Sequence, residues 1–379
     1  MTATEVRYGF GKNWAEFIEQ SFSEERIKIA QERLLSFLKL KDLRGRSFLD
    51  IGCGSGLHSL AAYRAGAQTV LSFDYDPDSV QTTRKLHEHI GSPSNWTIRQ
   101  GSVLDRKFID SLERADIVYS WGVLHHTGDM WTAIEHAVSA LKQEGMAFIA
   151  LYTKDVCLNP GPDYWLDVKQ AYNHAGPLRR KWMEWAYVLR FVVAPELHSR
   201  RNPLRYIFTY KKSRGMSFWT DVKDWLGGWP MEFAGIAETK DFCCNKLGLE
   251  LLNVNAGEAN TEYLFRRKGS RNYWDDVLLS HSEEILPAPF VHRGGAAWIA
   301  RLAQHRGVAD SRDSPRRSRL MLYEDGVPIG FAHAPHSHIE RYGRGRYSHW
   351  ADGLIFSATD NSDPNTNGRR YSIRVFSTS

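Results

Sequence analysis

The sequence predicts an α/β fold in which a largely parallel sheet is doubly wound by helices. Between residues 46 and 151, short apolar runs alternate with stretches of helical periodicity. This alternation is typical of βαβ units with right-handed crossovers. The apolar run 48–51 leads into a loop with glycine at positions 52, 54 and 56 and then into a helix. Glycine lets a backbone turn sharply and approach a ligand, and the helix N-terminus beyond it suits an anionic group.

The predicted elements follow this alternation. The predicted strands are residues 48–51, 69–73, 96–102, 115–120, 145–152, 249–254 and 261–266. The predicted helices are residues 56–65, 77–90, 107–113, 130–141 and 238–247. Residues 142–145, Lys-Gln-Glu-Gly, are predicted to stop a helix and form a turn. Two amphipathic helices are expected between residues 14 and 40, broken near residues 21–23, with Ser23 as an N-cap.

Acidic residues mark the ends of the first two strands. Asp50 precedes the first glycine, and Asp74 ends the second apolar run about 20 residues after the loop. An acidic side chain at that second position can hold a ribose diol by paired hydrogen bonds. The loop spacing is Gly-x-Gly-x-Gly, which differs from the Gly-x-Gly-x-x-Gly of dinucleotide-binding proteins.

The ordered motifs resemble one enzyme family. After the fourth strand, residues 121–126 read Trp-Gly-Val-Leu-His-His. Together with the glycine loop and the two acids, this set resembles the class I S-adenosylmethionine-dependent methyltransferases, over about residues 13–268. The resemblance implies a Rossmann-like seven-stranded sheet whose last strand is antiparallel, and S-adenosylmethionine as the cofactor. It does not specify the substrate.

The resemblance also implies cofactor-binding roles for individual residues. The three loop glycines would line the methionine part, Asp50 would orient the loop or the cofactor amino group, and Asp74 would bind the ribose hydroxyls. Ser102 would meet the adenine, at a position where the family often has an acidic residue. The expected cofactor-binding residues are Asp50, Gly52, Cys53, Gly54, Gly56, Asp74, Tyr75, Ser102, Val103 and Trp121.

His125 and His126 are the candidate catalytic bases. Methyl transfer is an in-line displacement at a carbon activated by a positive sulfur, so the protein must align the reacting atoms and exclude water. A hydroxyl acceptor must also lose a proton, and an ordinary histidine pKa of about 6.5 suits that task. A structural role for the pair is an alternative, and His126 is the preferred base. The Asn/Asp-Pro-Pro-Tyr pattern that holds a planar amino group is absent after strand four, which favours a hydroxyl acceptor.

Residues 153–235 interrupt the sheet pattern and are rich in tryptophan and tyrosine interleaved with arginine. An insertion after the fifth strand lies over the cofactor cleft in the family, so a mainly helical lid that encloses the acceptor is expected. Aromatic rings can stack on sugar or ring acceptors, although they can equally form the lid's own core. The expected acceptor-site residues are Tyr152, Trp219, Trp229 and Asn260.

The chain is predicted to have four parts. Residues 1–45 form N-terminal helices that cover the cofactor, or that pack on the sheet edge. Residues 46–152 and 236–268 form the core, and residues 153–235 form the lid. Residues 269–379 form a β-rich module with strands at 320–323, 353–357 and 370–375 and a turn-rich segment at 360–368. This module would bind the acceptor, extend the lid or join protomers, so a homo-oligomer stays open. Its histidines lack a completing ligand pattern, and no metal is expected.

Composition limits the class of protein. The net charge of +5 is mildly basic and does not by itself favour nucleic acid. The four cysteines show no disulfide framework, and no apolar segment predicts a signal peptide or a membrane span. We therefore expect a cytoplasmic O-methyltransferase that acts on a small-molecule or glycan acceptor. The alternatives are an RNA-modifying methyltransferase, and a glycan-binding or assembly protein with a non-catalytic methyltransferase fold.

Overall fold

The computed structural model describes residues 23–156, 159–198, 202–214, 217–257, 259–269 and 271–376. Its main sheet contains β1 (Ser47–Ile51), β2 (Thr69–Asp74), β3 (Trp96–Gln100), β4 (Ala115–Trp121), β5 (Leu141–Tyr152), β6 (Leu249–Ala256) and β7 (Asn260–Arg267). The strand order is β3-β2-β1-β4-β5-β7-β6, in which β7 is antiparallel to both neighbours and the other pairs are parallel. The predicted fold class is confirmed. The order reverses between β1 and β4, where such sheets open a ligand crevice.

Helices cover both faces of this sheet. They are α1 (Glu24–Leu38), α2 (Leu57–Arg64), α3 (Pro77–His89), α4 (Arg106–Asp110) and α5 (Met130–Ser139). Each of these helices except α2 starts with a capping side chain. The Ser23 hydroxyl accepts a hydrogen bond from the Arg26 N–H, and the Asp76 carboxylate accepts one from the Asp78 N–H. The earlier of the two expected N-terminal helices lies outside the described residues.

Alternate residues of each strand build two apolar clusters, one on each face. Leu49 joins the cluster under α4 and α5, whereas Phe48 joins the cluster under α1 and α2. This alternation follows from the two-residue period of a strand. Within the described residues, no helix is long and apolar enough to cross a bilayer.

The prediction of a turn at residues 142–145 is wrong, because these residues belong to β5. Leu141 pairs with Ala115, and the register then shifts so that Met146 pairs with Ile117. A Cβ on Gly145 would lie 2.8 Å from the Leu141 side chain. Gly145 therefore lies in an irregular part of a strand. Such a part contains the same polar residues and glycine as a turn, so the two cannot be told apart by composition.

The lid is helical and has its own core. Its helices are α6 (Pro162–Asn173), α7 (Pro177–Val188), α8 (Ala194–His198), α9 (Pro203–Arg214) and α10 (Phe218–Gly227), and the chain returns to the sheet through α11 (Ile236–Asp241). The buried residues of this core are Tyr172, Val188, Val192, Tyr210, Phe218, Val222 and Leu226. Many of the lid aromatics thus stabilise the lid itself.

The C-terminal module consists of two four-stranded antiparallel sheets. Its elements are β8 (His281–Ile285), β9 (Val291–Gly294), β10 (Ala297–Arg301), β11 (Leu320–Glu324), β12 (Val327–Pro328), α12 (His336–Tyr342), β13 (Tyr347–Trp350), β14 (Gly353–Phe356) and β15 (Tyr371–Phe376). The strands expected near residues 320, 353 and 370 are present as β11, β14 and β15. The sequence analysis did not predict β8, β9, β10 and β13. The side chains of β8 and β9 are mostly exposed and show no apolar run, whereas β10 and β13 are short and mostly buried or half-buried.

The segment before β8 packs on the main sheet. Trp274 is fully buried in the cluster under α1 and α2, and its indole N–H donates to the Glu144 carbonyl oxygen at 2.7 Å. The Tyr273 hydroxyl donates to the Asp116 carboxylate at 2.5 Å. The core therefore draws on residues beyond position 268, where the sequence suggested a boundary.

Candidate active site

The glycine loop takes a backbone conformation that side chains disfavour. The φ angles of Gly52, Gly54 and Gly56 are 76°, 53° and 77°, in the left-handed region where a Cβ is strained. A Cβ on Gly52 would also lie 2.4 Å from the Val123 side chain. Among the described residues, no side chain caps the N-terminus of α2, which follows directly on the loop, so its first backbone N–H groups and its positive dipole end lie beside the loop. The loop can bring backbone close to a ligand.

Asp74, at the tip of β2, is tied to this loop. Its two carboxylate oxygens accept hydrogen bonds from the Gly54 N–H at 2.9 Å and the Asp76 N–H at 3.0 Å. Burial raises the pKa of Asp74 to about 6, against the two backbone N–H groups, which lower it. A carboxylate offers about four lone-pair sites, so two oxygens held this way can still accept from a ribose diol. The position and the remaining acceptor capacity of Asp74 therefore suit the ribose-binding role that the resemblance implies.

Asp50 lies inside the fold rather than on the cleft surface. Its exposed fraction is 2%, and it accepts a hydrogen bond from the Ser59 hydroxyl of α2. Ser59 also contacts the Ser72 hydroxyl at 2.7 Å, so the carboxyl ties β1, β2 and α2 together. Burial raises the pKa of Asp50 to about 7. This arrangement suits the loop-orienting role of Asp50 better than a direct cofactor contact.

The other expected cofactor residues surround the same edge. Tyr75 follows Asp74 and is 59% exposed, and the Gln100 amide donates to its carbonyl oxygen at 3.4 Å. The Ser102 hydroxyl accepts from the Leu104 N–H at 3.2 Å, so it holds its own turn. Cys53 is buried and lies with its sulfur 3.3 Å from the Thr83 hydroxyl.

Two further cofactor candidates sit on either side of this group. Val103 is buried, and its carbonyl oxygen accepts from His136 at 2.8 Å. Trp121, at the end of β4, donates its indole N–H to Glu262 at 2.9 Å, and the Asn255 amide donates to the other oxygen of that carboxylate at 3.1 Å. Trp121 is thereby fixed while 42% of it stays exposed.

The two histidines have different tautomers. The Nδ1–H of His126 donates to the Pro230 carbonyl oxygen at 2.7 Å, so a neutral ring has its lone pair on Nε2. In contrast, Nδ1 of His125 accepts from the Tyr152 N–H at 3.4 Å, so its neutral ring has its proton on Nε2. Burial lowers the pKa of His126 to about 4, with nearby Lys169 adding to the effect. Burial also holds the pKa of His125 well below its usual range. Only His126 therefore has the basic nitrogen that a proton acceptor needs.

The ring of Tyr152 lies between the two histidines and the lid. Its ring centroid lies 4.4 Å from that of His125 and 5.7 Å from that of His126. On its other side, the ring of Trp225 in α10 lies at 5.5 Å. Lys169 of α6 is 1% exposed and has its ammonium 4.5 Å from the Trp225 ring. Neither lid residue was expected from the sequence, because nothing local distinguishes them from their neighbours.

The three remaining acceptor candidates lie in different surroundings. Trp219 packs in the lid core, with its ring 4.9 Å from that of Trp185. Trp229 directly precedes the proline that orients His126. Asn260 starts β7 and pairs with Tyr152 across the sheet. The structure thus brings Asn260 close to Tyr152 and Trp229 close to the His126 partner, while Trp219 lies with the lid's own aromatics.

Sequence comparisons place residues 22–202 in a family described as a methyltransferase domain. A 117-residue stretch is 31% identical to the ubiquinone biosynthesis O-methyltransferase of Actinobacillus pleuropneumoniae, covering 30% of this chain and 48% of that protein. A 57-residue stretch is 40% identical to the ribosomal protein L11 methyltransferase of Photobacterium profundum, covering 15% and 19%. The chain thus spans less than half the length of either relative.

Two solved structures are also similar. An O-methyltransferase family protein from Burkholderia thailandensis is 14% identical, with a TM-score of 0.41, over 68% of this chain and 58% of that one. Magnesium protoporphyrin IX methyltransferase from Synechocystis PCC 6803, with bound S-adenosylhomocysteine, is 13% identical, with a TM-score of 0.40, over 68% and 94%. The chain therefore has a methyltransferase domain at residues 22–202, and its seven-stranded sheet with an antiparallel β7 is the sheet that the resemblance to the class I S-adenosylmethionine-dependent methyltransferases implied.

Proposed function

We propose that the protein transfers the methyl group of S-adenosylmethionine to a hydroxyl group of a small-molecule acceptor, with His126 as the base. The observation that carries this proposal is the hydrogen bond from His126 Nδ1 to Pro230, which leaves Nε2 as the basic nitrogen. Val123, whose side chain fills the space above Gly52, is in the same turn as His126. The candidate base and the cofactor loop therefore belong to one packed unit.

The residues of the glycine loop and the β2 tip would hold the cofactor. Backbone groups of the loop would face the methionine part, and Asp74 would accept hydrogen bonds from the ribose hydroxyls. The bound cofactor supplies a methyl group on a positively charged sulfur. The protein then needs to orient the acceptor, exclude water and accept one proton. Tyr152 and the lid would enclose the acceptor, and Trp121 would wall the methyl site.

A hydroxyl acceptor is favoured over an amine by two observations. The chain after β4 reads Ser-Trp-Gly-Val, without the paired prolines that hold a planar amino group. One of the curated relatives is named as an O-methyltransferase of ubiquinone biosynthesis. A neutral imidazole can accept a proton from a hydroxyl as the oxygen attacks, which general base catalysis requires.

Calorimetric titration tests the cofactor site. S-adenosylmethionine and S-adenosylhomocysteine are titrated into wild type, Asp74→Ala and the control Asp78→Ala, whose carboxylate lies exposed in the first turn of α3. We expect binding by wild type and the control, and a large loss for Asp74→Ala. Absence of binding by wild type would refute the proposal.

Transfer itself is then followed with labelled methyl donor and a panel of hydroxylated acceptors. The wild type and His126→Gln are compared on any acceptor that becomes labelled. Glutamine keeps a polar side chain of similar size but accepts no proton at neutral pH. Equal rates for the two proteins would remove His126 from the role of base.

A further inference from the structure

A row of large apolar side chains lies on the outside of the lid. It follows α7 and the π-helical turn Leu189–Val193 that continues this helix. The members of this apolar row are Leu178, Trp182, Trp185 and Leu189. Spacings of four, three and four residues put them on one side of a helix. Their exposed fractions are 89%, 70%, 49% and 57%, whereas Val188 of the same helix is buried in the lid core. The helix therefore has a second apolar side that the core does not use.

Helix α9 repeats this arrangement. Leu204 and Phe208, one turn apart, are 63% and 82% exposed, while Tyr210 of the same helix is buried with Val188 in the lid core. Eight of the fifteen large apolar residues that are exposed in the described part of the chain lie between positions 178 and 208. Single exposed apolar residues are common, but a grouping of this kind marks an interaction surface.

The charge of this segment is one-sided. Residues 177–214 contain ten lysines and arginines but only two acidic residues, so the rest of the chain is net acidic. Both acidic residues, Glu184 and Glu196, are buried. In contrast, Arg179, Arg180 and Arg190, which flank members of the apolar row in the chain, are exposed. The outer surface of the segment thus combines apolar side chains with positive charge and presents no exposed carboxylate.

We propose that the apolar row docks on the surface of a membrane that contains anionic lipid. Leucine and tryptophan enter the boundary between head groups and acyl chains, while arginine and lysine contact the negative head groups. A second copy of the chain would instead bring two positive faces together. RNA would contact the cations and rings but would leave the leucines without apolar contact. The inference goes beyond the proposed function and does not depend on which acceptor is methylated.

Vesicle sedimentation tests this surface. The full chain is mixed with vesicles of phosphatidylcholine alone, or of equal parts of phosphatidylcholine and phosphatidylglycerol, at low and high salt. We expect at least about tenfold tighter binding to the anionic vesicles, because each arginine or lysine near such a surface contributes a factor of about five. High salt should weaken this binding by screening the charges. Absence of binding to the anionic vesicles, or equal binding to both kinds, overturns the proposal.

Variants of the apolar row assign the effect to the lid. Leu178→Ser/Trp182→Ser should weaken binding to the anionic vesicles at least about tenfold, because two large apolar side chains no longer enter the lipid. The matched control is Ile285→Ser/Val291→Ser, which removes two apolar residues of the C-terminal module that are 57% and 61% exposed. Binding by the control should be unchanged. Equal losses in the two double variants would contradict the assignment.

A charge variant and a fluorescence measurement test the two components separately. Arg179→Gln should weaken binding about fivefold, whereas Arg316→Gln, at an exposed arginine before β11, should have no effect. Lipids with brominated acyl chains quench tryptophans that enter the membrane. Trp182→Phe should therefore bind but show less quenching than wild type. Unchanged quenching would show that the row does not enter the lipid, and would overturn the proposal.

The other occupants have their own outcomes. A wild-type dimer that Leu178→Ser/Trp182→Ser converts into a monomer, without vesicle binding by wild type, would assign the row to a second copy. Binding of a single-stranded RNA oligomer, again without vesicle binding, would assign the segment to nucleic acid. Either result overturns the membrane proposal. Titration with S-adenosylhomocysteine checks that each variant is folded, and a failure of wild type to bind it counts only against the proposed function.

Discussion

Replacing Gly52 by alanine tests the geometry of the cofactor loop. The residue has a φ of 76°, and an added Cβ would lie 2.4 Å from Cγ2 and 2.5 Å from Cγ1 of Val123. The left-handed conformation costs a residue with a Cβ about 1–2 kcal/mol. Overpacking adds about 1–3 kcal/mol, because both Val123 methyl groups must move. We expect Gly52→Ala to lower the free energy of unfolding by roughly 2–5 kcal/mol.

The control separates the two contributions. Gly91 has a φ of 90°, and no atom of the described residues lies within 4 Å of an added Cβ, so Gly91→Ala should lose only the conformational part. Shortening Val123 to alanine removes both methyl groups but leaves its Cβ 2.9 Å from the added Cβ, so the double variant Gly52→Ala/Val123→Ala should restore only part of the steric loss. Urea unfolding measures the free energy of unfolding of each variant, and titration with S-adenosylhomocysteine measures whether the loop still binds this ligand. Equal losses for the two glycine variants, with no coupling to position 123, would refute the reasoning.

Three further predictions concern the base, the ribose carboxylate and the core boundary. His126→Gln should lower the rate of methyl transfer by about 10²–10⁴, and the acid limb of the wild-type pH–rate profile should lie near pH 4 rather than 6.5, because burial keeps the imidazole neutral. Asp74→Asn should weaken S-adenosylmethionine binding about 10- to 100-fold. The affinity of wild type should fall as the pH drops through about 6, because the Asp74 carboxylate then takes up a proton. The variant has no such carboxylate, so its affinity should show no step there. A chain that ends at Lys268 should unfold more easily, by about 3–5 kcal/mol, than one that ends at Ser280, because it lacks the fully buried Trp274.

Each of these has its own check. Retention of full transfer activity by the glutamine variant, or an acid limb near 6.5, contradicts an imidazole held neutral by burial. If the affinity of wild type for S-adenosylmethionine does not depend on pH, the ionised carboxylate of Asp74 does not bind the cofactor. Chemical denaturation of the two truncated chains decides the third, and equal stability would show that Trp274 does not belong to the core.

Most helices and strands of the methyltransferase domain were predictable from the local sequence pattern. The strands before and after the glycine loop were predictable because burial on both faces requires continuous apolar runs, and their helices because capping residues such as Ser23 and Asp76 act within a few positions. The same reasoning failed at residues 142–145, where a polar stretch with glycine forms an irregular part of β5. It also missed β8, β9, β10 and β13. Of these, β8 and β9 are exposed and leave little apolar signal, whereas β10 and β13 are only four or five residues long.

The sequence by itself determined the sheet, the loop glycines and the acidic tip of β2, because each depends on residues close together in the chain. Only the tertiary structure decided which histidine has a basic nitrogen, since the partner of His126 lies 104 positions away at Pro230. It also decided that Asp50 is buried against Ser59 and that Lys169 joins the histidine pair. Hydrogen bonding and desolvation depend on which groups the folded chain brings together, and no local pattern encodes that.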